Sequence, residues 1–248
     1  MQVAEQKIEI SAGDGKTEAY LYEPTGEGAW PAVIHYTDIG GIRAAPLAMA
    51  KRLAEQGYVV LVPNVFYRTS DLPVFKFPLK FGEDRTAQRI KELSSPLTPD
   101  AMARDASAYV DFLDTVPTVK SRAMGVVGHC YTGGMALRAA AARPDNIGAA
   151  ASFHGGHLYT DAPTSPHILL PKIKARLYFG HAVKDRGMSA DAIKNFEAAL
   201  RFWGGEYESQ TYEGAYHGWT VPDSPVYNRP QAERAFEKLT RLFSATLR

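Results

Sequence analysis

The chain carries a single thiol, Cys130, inside Gly128-His129-Cys130-Tyr131-Thr132-Gly133-Gly134. Met124-Gly125-Val126-Val127 before it reads as a buried strand, and Met135 to Ala142 after it reads as a helix. A strand, a sharp glycine-flanked turn and a helix form the setting of a nucleophile elbow, here with Cys where Ser is commoner. Small residues are needed because the turn is strained and the helix must pack close to the strand. The helix N-terminus then lies under the sulfur and favours its thiolate. A lone thiol is more often an inert core residue; the glycine pattern around this one argues for nucleophilic catalysis.

A thiol nucleophile needs a base, and the base needs an acid to orient it. Asp185 lies in Gly180-His181-Ala182-Val183-Lys184-Asp185, just past a strand-like run. His217 lies in Glu213-Gly214-Ala215-Tyr216-His217-Gly218-Trp219, just past the last such run. Nucleophile, acid and histidine thus arrive in one order, each at a strand end. Taken singly, Asp185 also reads as a turn or helix-start residue and His217 as a loop histidine. His129 and His154 sit near strand ends but lack the glycine loop and the chain order. His35, His157, His167 and His181 read as structural or surface residues, and their spacing makes no metal-ligand motif. Thr37-Asp38-Ile39-Gly40-Gly41 follows an early strand and is placed to give the backbone N–H of Ile39 to an oxyanion hole. The N–H of Tyr131, after the nucleophile, would be the other donor.

The elements that must position these residues alternate in type, which predicts a mostly parallel sheet covered on both faces. Lys7–Ile10 and Glu18–Tyr22 flank Gly13-Asp14-Gly15 as an antiparallel hairpin. Strands follow at 31–36, 58–62, 124–127, 149–153, 175–179 and 207–212. Helices are predicted at 44–56, 100–113, 190–203 and 231–247, the second capped by Thr98 with Pro99 at its first position. The stretch from Asn64 to Leu97 breaks the alternation, with only a short helical pattern at 84–93. A long irregular insertion is either a functional lid or a surface excursion with its own small core. We read 1–248 as one domain carrying this insertion.

Composition sets the outer limits. With 45% hydrophobic and 22% charged residues the chain is an ordinary globular protein, and a net charge of +1 offers nothing to nucleic acid or a membrane surface. Residues 1–7 contain no apolar signal core, and no run approaches the roughly 20 apolar residues that span a bilayer. One cysteine forms no intrachain disulfide, and a reducing cytoplasmic setting is expected. Oligomeric state is left between monomer and small homo-oligomer.

These motifs together resemble the dienelactone hydrolase family of the α/β-hydrolase fold, across nearly the whole chain. Gly128 to Gly133 resembles the family's Gly-x-Cys-x-Gly-Gly, with Thr132 where glycine is common. Asp38-Ile39-Gly40-Gly41 resembles its carboxylate-Ile-x-Gly loop, and Pro63 to Arg68 the stretch that opens its variable loop. Gly214 to Trp219 is similar to its Gly-x-x-His-x-Phe ending. The resemblance implies a cofactor-free hydrolase of a lactone or small ester, with a Cys130-His217-Asp185 triad and a thioester acyl-enzyme. It also implies that Asp38 takes the thiol proton when substrate binds; the alternative for Asp38 is a turn aspartate capping its own loop. Family members bind a substrate carboxylate with arginines, one just after the histidine. Here Gly218 follows instead, leaving Arg68, Arg85, Arg89 and Arg229 as candidates. Phe75, Phe77, Phe81 and Trp219 suggest an apolar substrate pocket, though such aromatics are also ordinary core. A thioesterase or peptidase-like acyl hydrolase on the same fold stays open, as does a non-catalytic binding protein.

Overall fold

The computed structural model describes residues 1–120 and 123–247. The hairpin forms as expected but longer: β1 (Val3–Ala12) and β2 (Gly15–Pro24) pair antiparallel from Val3 opposite Pro24 to Ala12 opposite Gly15. β3 (Ala32–His35), β4 (Val59–Pro63), β5 (Met124–His129), β6 (Ile147–Phe153), β7 (Arg176–His181) and β8 (Tyr207–Thr211) run parallel to one another. Among the described residues the eight strands form one sheet, in the order β1-β2-β4-β3-β5-β6-β7-β8. The chain steps from β3 outward to β4 and then returns to place β5 on the other side of β3. That reversal is the switch point where open parallel sheets form binding crevices, and it brings the ends of β3 and β5 side by side.

Strand residues alternate between two apolar layers, because successive side chains point to opposite faces. Ile34, Leu61, Val126 and Leu177 join one core with α3 (Pro99–Asp114), α4 (Gly133–Ala142) and α5 (Ala190–Trp203). Val33, Val60, Val127 and Tyr178 join the other with α1 (Ala44–Ala54) and α6 (Arg229–Leu247). A sheet buried on both faces reads as continuous apolar runs, and the four central strands do. Thr98 caps α3 as predicted, its hydroxyl accepting from Ala101 N at 3.2 Å with Pro99 at the first position.

Three features depart from the sequence reading. β5 runs on to His129, so the elbow starts directly at the strand end. A short helical segment at Pro166–Lys172, which no periodicity announced, covers α4. The insertion is not a free excursion: Val65, Phe66, Val74, Leu93 and Leu97 are buried in the α3–α4–α5 core, and α2 (Asp84–Ser94) is its one regular element. Its segment from Pro73 to Phe81 lines a cavity together with Ile39, Cys130 and His217.

Candidate active site

Cys130 has φ of +58°, a left-handed conformation costing about 1–3 kcal/mol for a residue with a Cβ. The surroundings hold it there by close approach. A Cβ on Gly128 would lie 2.3 Å from the Thr132 carbonyl oxygen, and one on Gly133 would lie 2.4 Å from Ser152 Oγ and 2.5 Å from Gly155 Cα. Thr132, at the position where the resembled motif has glycine, is fully buried. Its hydroxyl accepts from His129 N and donates to His129 O, both at 3.0 Å, stapling the turn. Cys130 to Thr132 form a single tight helical turn that runs into α4.

The structure brings Cys130, His217 and Asp185 together. His217 Nε2 lies 3.1 Å from Cys130 Sγ, and His217 Nδ1 lies 2.6 Å from Asp185 Oδ2. The other Asp185 oxygen accepts from Gly187 N at 2.7 Å, so the carboxylate is oriented from both sides. A backbone bond from Val183 N to Ala215 O, 2.8 Å long, ties the two loops that deliver these residues. Burial works against a charge on His217, but the hydrogen bonds to Asp185 and Cys130 and their charges lift its pKa to about 10. The imidazolium is therefore the favoured form beside the sulfur.

The backbone N–H of Ile39 meets no acceptor among the described residues, and Ile39 lines the space beside Cys130. Tyr131 lies in the first turn of a helical segment, where N–H groups have no acceptor within the helix. Neither expected donor is thus engaged by a backbone acceptor among the described residues. Asp38 stands differently from the expectation of a proton acceptor. Arg43 Nη1 and Nη2 donate to its two oxygens at 2.6 and 2.8 Å, and Gly40 N donates to Oδ1 at 2.9 Å. Arg43 also binds Asp223 at 2.7 and 2.9 Å. The Asp38 carboxylate is occupied by its own loop, and among the described residues the thiol's hydrogen-bond partner is His217.

Two cavities of about 640 Å³ each open beside the thiol and share Ile39, Phe81, Cys130 and His217. One is walled by Ile90, Tyr131, His157 and the Lys184–Gly187 turn, with Tyr216 exposed at its mouth. The other is walled by Phe75, Phe77, Leu79 and the 223–225 loop. The expected substrate arginines are placed elsewhere. Arg68 is bound by Asp105 at 2.6 and 2.8 Å and by Asp14 at 2.7 Å, fastening the β1–β2 turn to α3. Arg85 lies over Phe77 and pairs with Glu83, and Arg89 donates to Val74 O and Glu92. Trp219 is fully buried behind the site, stacked on Tyr212 at 4.3 Å, and lines neither cavity. The cations that do line the cavities were missed: Arg43 and Lys80 in one, Lys184 and Arg186 in the other. Lys184 and Arg186 flank Asp185, and that adjacency was the available signal.

The strand order, the strained thiol elbow and the acid–histidine pair at neighbouring strand ends define an α/β-hydrolase. A model of the dienelactone hydrolase family matches residues 17–247, and the chain belongs to that family. It is 27% identical over 235 residues to a candidate carboxymethylenebutenolidase of Synechocystis sp., covering 92% of each chain. It is 26% identical over 211 residues to the carboxymethylenebutenolidase of Rhodococcus opacus, covering 83% of this chain and 78% of that one. In fold it is similar to the crystal structure of a candidate dienelactone hydrolase from Klebsiella pneumoniae, with a TM-score of 0.87 over 98% of this chain and 99% of that one at 19% identity.

Proposed function

We propose that the protein hydrolyses a carboxylic ester or lactone in two steps through an acyl-thioester on Cys130, with no cofactor. The observation that carries this is the unbroken line from Asp185 through His217 to the sulfur, at 2.6 and 3.1 Å, ending on a residue held at positive φ. The sulfur attacks the carbonyl carbon, a C–S bond forms, and the carbonyl oxygen takes the negative charge. The N–H groups of Ile39 and Tyr131 stabilise that oxyanion; one such donor contributes about 3–4 kcal/mol to lowering a barrier. The tetrahedral centre collapses, the C–O bond breaks, and His217 gives its Nε2 proton to the departing alkoxide. Water then attacks the thioester, His217 takes the proton, and the thiolate leaves. Asp185 keeps the imidazole in the tautomer this exchange needs. Asp38 acts as the staple of the Ile39 loop through Arg43.

The two cavities favour a substrate with a group on each side of the scissile bond over a small lactone alone. Phe77→Ala should raise KM for esters with an aromatic arm and leave acetate esters unchanged; equal KM shifts for both would refute the placement of one substrate arm in the cavity walled by Phe75 and Phe77. The direct test of the whole reading is Cys130→Ala, expected to abolish ester and lactone hydrolysis with an unchanged circular dichroism spectrum. Wild-type turnover in that variant would refute it.

A further inference from the structure

Behind His217 lies a buried polar chain that the mechanism above does not use. β-strand alternation points His35 and His129, the last residues of β3 and β5, toward the α1–α6 layer. His154 follows β6 in a left-handed conformation, φ +40°, with its N–H bound to Gly180 O at 2.7 Å. His129, His154 and Thr220 are all nearly inaccessible to solvent. One hydroxyl joins them: Thr220 Oγ1 lies 2.7 Å from His154 Nε2 and 3.0 Å from His129 Nδ1. A hydroxyl has one proton, so it can donate to only one of the rings and at least one ring donates to it. The bond at Nε2 sets the tilt of the His154 ring.

The fixed ring meets the catalytic one. His154 and His217 pack with centroids 5.3 Å apart at 65°, so the edge of one ring faces the plane of the other. The bonds of His217 to Asp185 and to the sulfur lie at the two nitrogens of its ring. They set its position along that line but leave it free to rock about the line. A ring packed against it at a steep angle limits the rocking. Trp219 also packs edge-on against His154, with centroids 6.0 Å apart at 67°. We propose that Thr220 and His154 are a positioning pair that holds the His217 imidazole in line between Asp185 and Cys130. The inference rests on the triad reading above. Burial, and then the charge of His217, hold the His154 pKa well below its ordinary value, so the supporting ring stays neutral beside the imidazolium. A residue held at a sparsely populated φ persists where the surroundings over-determine it, and such residues gather at functional sites.

Thr220→Val keeps the shape and removes the hydroxyl. It should lower kcat on a p-nitrophenyl ester about tenfold, the effect of one lost positioning hydrogen bond, with KM little changed. Iodoacetamide alkylation of Cys130 should slow by a similar factor, because the imidazolium then leaves the sulfur more often; the single cysteine makes this readout specific. Thr220→Ser should restore both rates. If Thr220→Val does not fold, His154→Asn reads the same contact, since Asn tolerates a left-handed backbone and brings no second ring. Wild-type kcat and alkylation in a folded Thr220→Val or His154→Asn would overturn the inference. So would a loss that Thr220→Ser does not repair, which would report packing. A fully active His217→Ala would instead remove the triad, and this inference with it.

Discussion

Four buried imidazoles should make this fold acid-labile well above the range where carboxylates titrate. His35, His129, His154 and His181 are each at most 3% exposed. Burial pushes His35 and His181 from 6.5 down to about 4, and pushes His129 and His154 well below their ordinary value. Between pH 6.5 and about 4 the unfolded chain therefore binds protons that the folded chain refuses. Stability is complete above pH 6.5 and falls as pH drops through this window. At about 1.4 kcal/mol per pH unit for each histidine, His35 and His181 together remove about 4 kcal/mol by pH 5, and His129 and His154 act in the same direction. That is a large part of the whole stability of a typical domain, about 5–15 kcal/mol. Asp14 and Glu18, whose pKa values are lowered by hydrogen bonds to their Arg and Lys partners, lose their contribution only as pH falls below the ordinary carboxylate values. His217 acts in another window: its raised pKa adds stability that is complete below 6.5 and lost as pH rises toward about 10. Urea unfolding measured from pH 7.5 to 5 should show a slope of at least about 2.5 kcal/mol per pH unit at its steepest. His181→Gln should reduce that slope by about 1.4. A stability that is flat from pH 7.5 to 5 would refute the reasoning, because it would mean that these rings take protons in the folded chain.

Other outcomes follow from particular contacts. Asp105 is fully buried and receives Arg68, the Tyr67 hydroxyl and Gly13 N; Asp105→Ala should cost about 3–5 kcal/mol in a urea titration, since it removes these three bonds at once and leaves the largely buried Arg68 guanidinium with Asp14 as its one carboxylate. Asp185→Asn should lower kcat by as much as about 10⁴ by presenting the wrong imidazole tautomer, and should leave the fold intact by circular dichroism. Asp38→Asn keeps the bond from Gly40 N and loses the ion pair with Arg43, so a several-fold loss of kcat is expected; a loss as deep as that of His217→Ala would return Asp38 to proton transfer.

The site was legible where its signal is local. Gly128, Gly133 and the apolar runs around Cys130 report a strained turn because only small residues fit the approaches that the fold contains. Asp185 and His217 were readable from chain order, since each ends a strand of the same parallel sheet. The failures share a physical cause, contacts between residues far apart in sequence. Arg68 looked free in its loop, yet its partner Asp105 lies on α3, and the pair is structural. For Asp38 the sequence left proton transfer and loop capping both open, because its partner Arg43, which holds both of its oxygens, carries no signature there. The insertion has too few periodic residues to announce that Val65, Phe66 and Val74 enter the main core. Thr132 read as a departure from a glycine motif, but its hydroxyl replaces conformational freedom with two hydrogen bonds. His129 and His154 were set aside for lacking the marks of a base; Thr220, the residue that joins them, has no signature in sequence.

The central claim is that turnover passes through an acyl group on the sulfur of Cys130. Rapid mixing with a p-nitrophenyl ester, acid quenching and peptide mass spectrometry read this directly. We expect a burst of p-nitrophenol approaching one equivalent per chain and one acyl group on the peptide that contains Cys130, both absent in Cys130→Ala. Steady hydrolysis with an unmodified Cys130 at every quench time, and the same rate in Cys130→Ala, would contradict it.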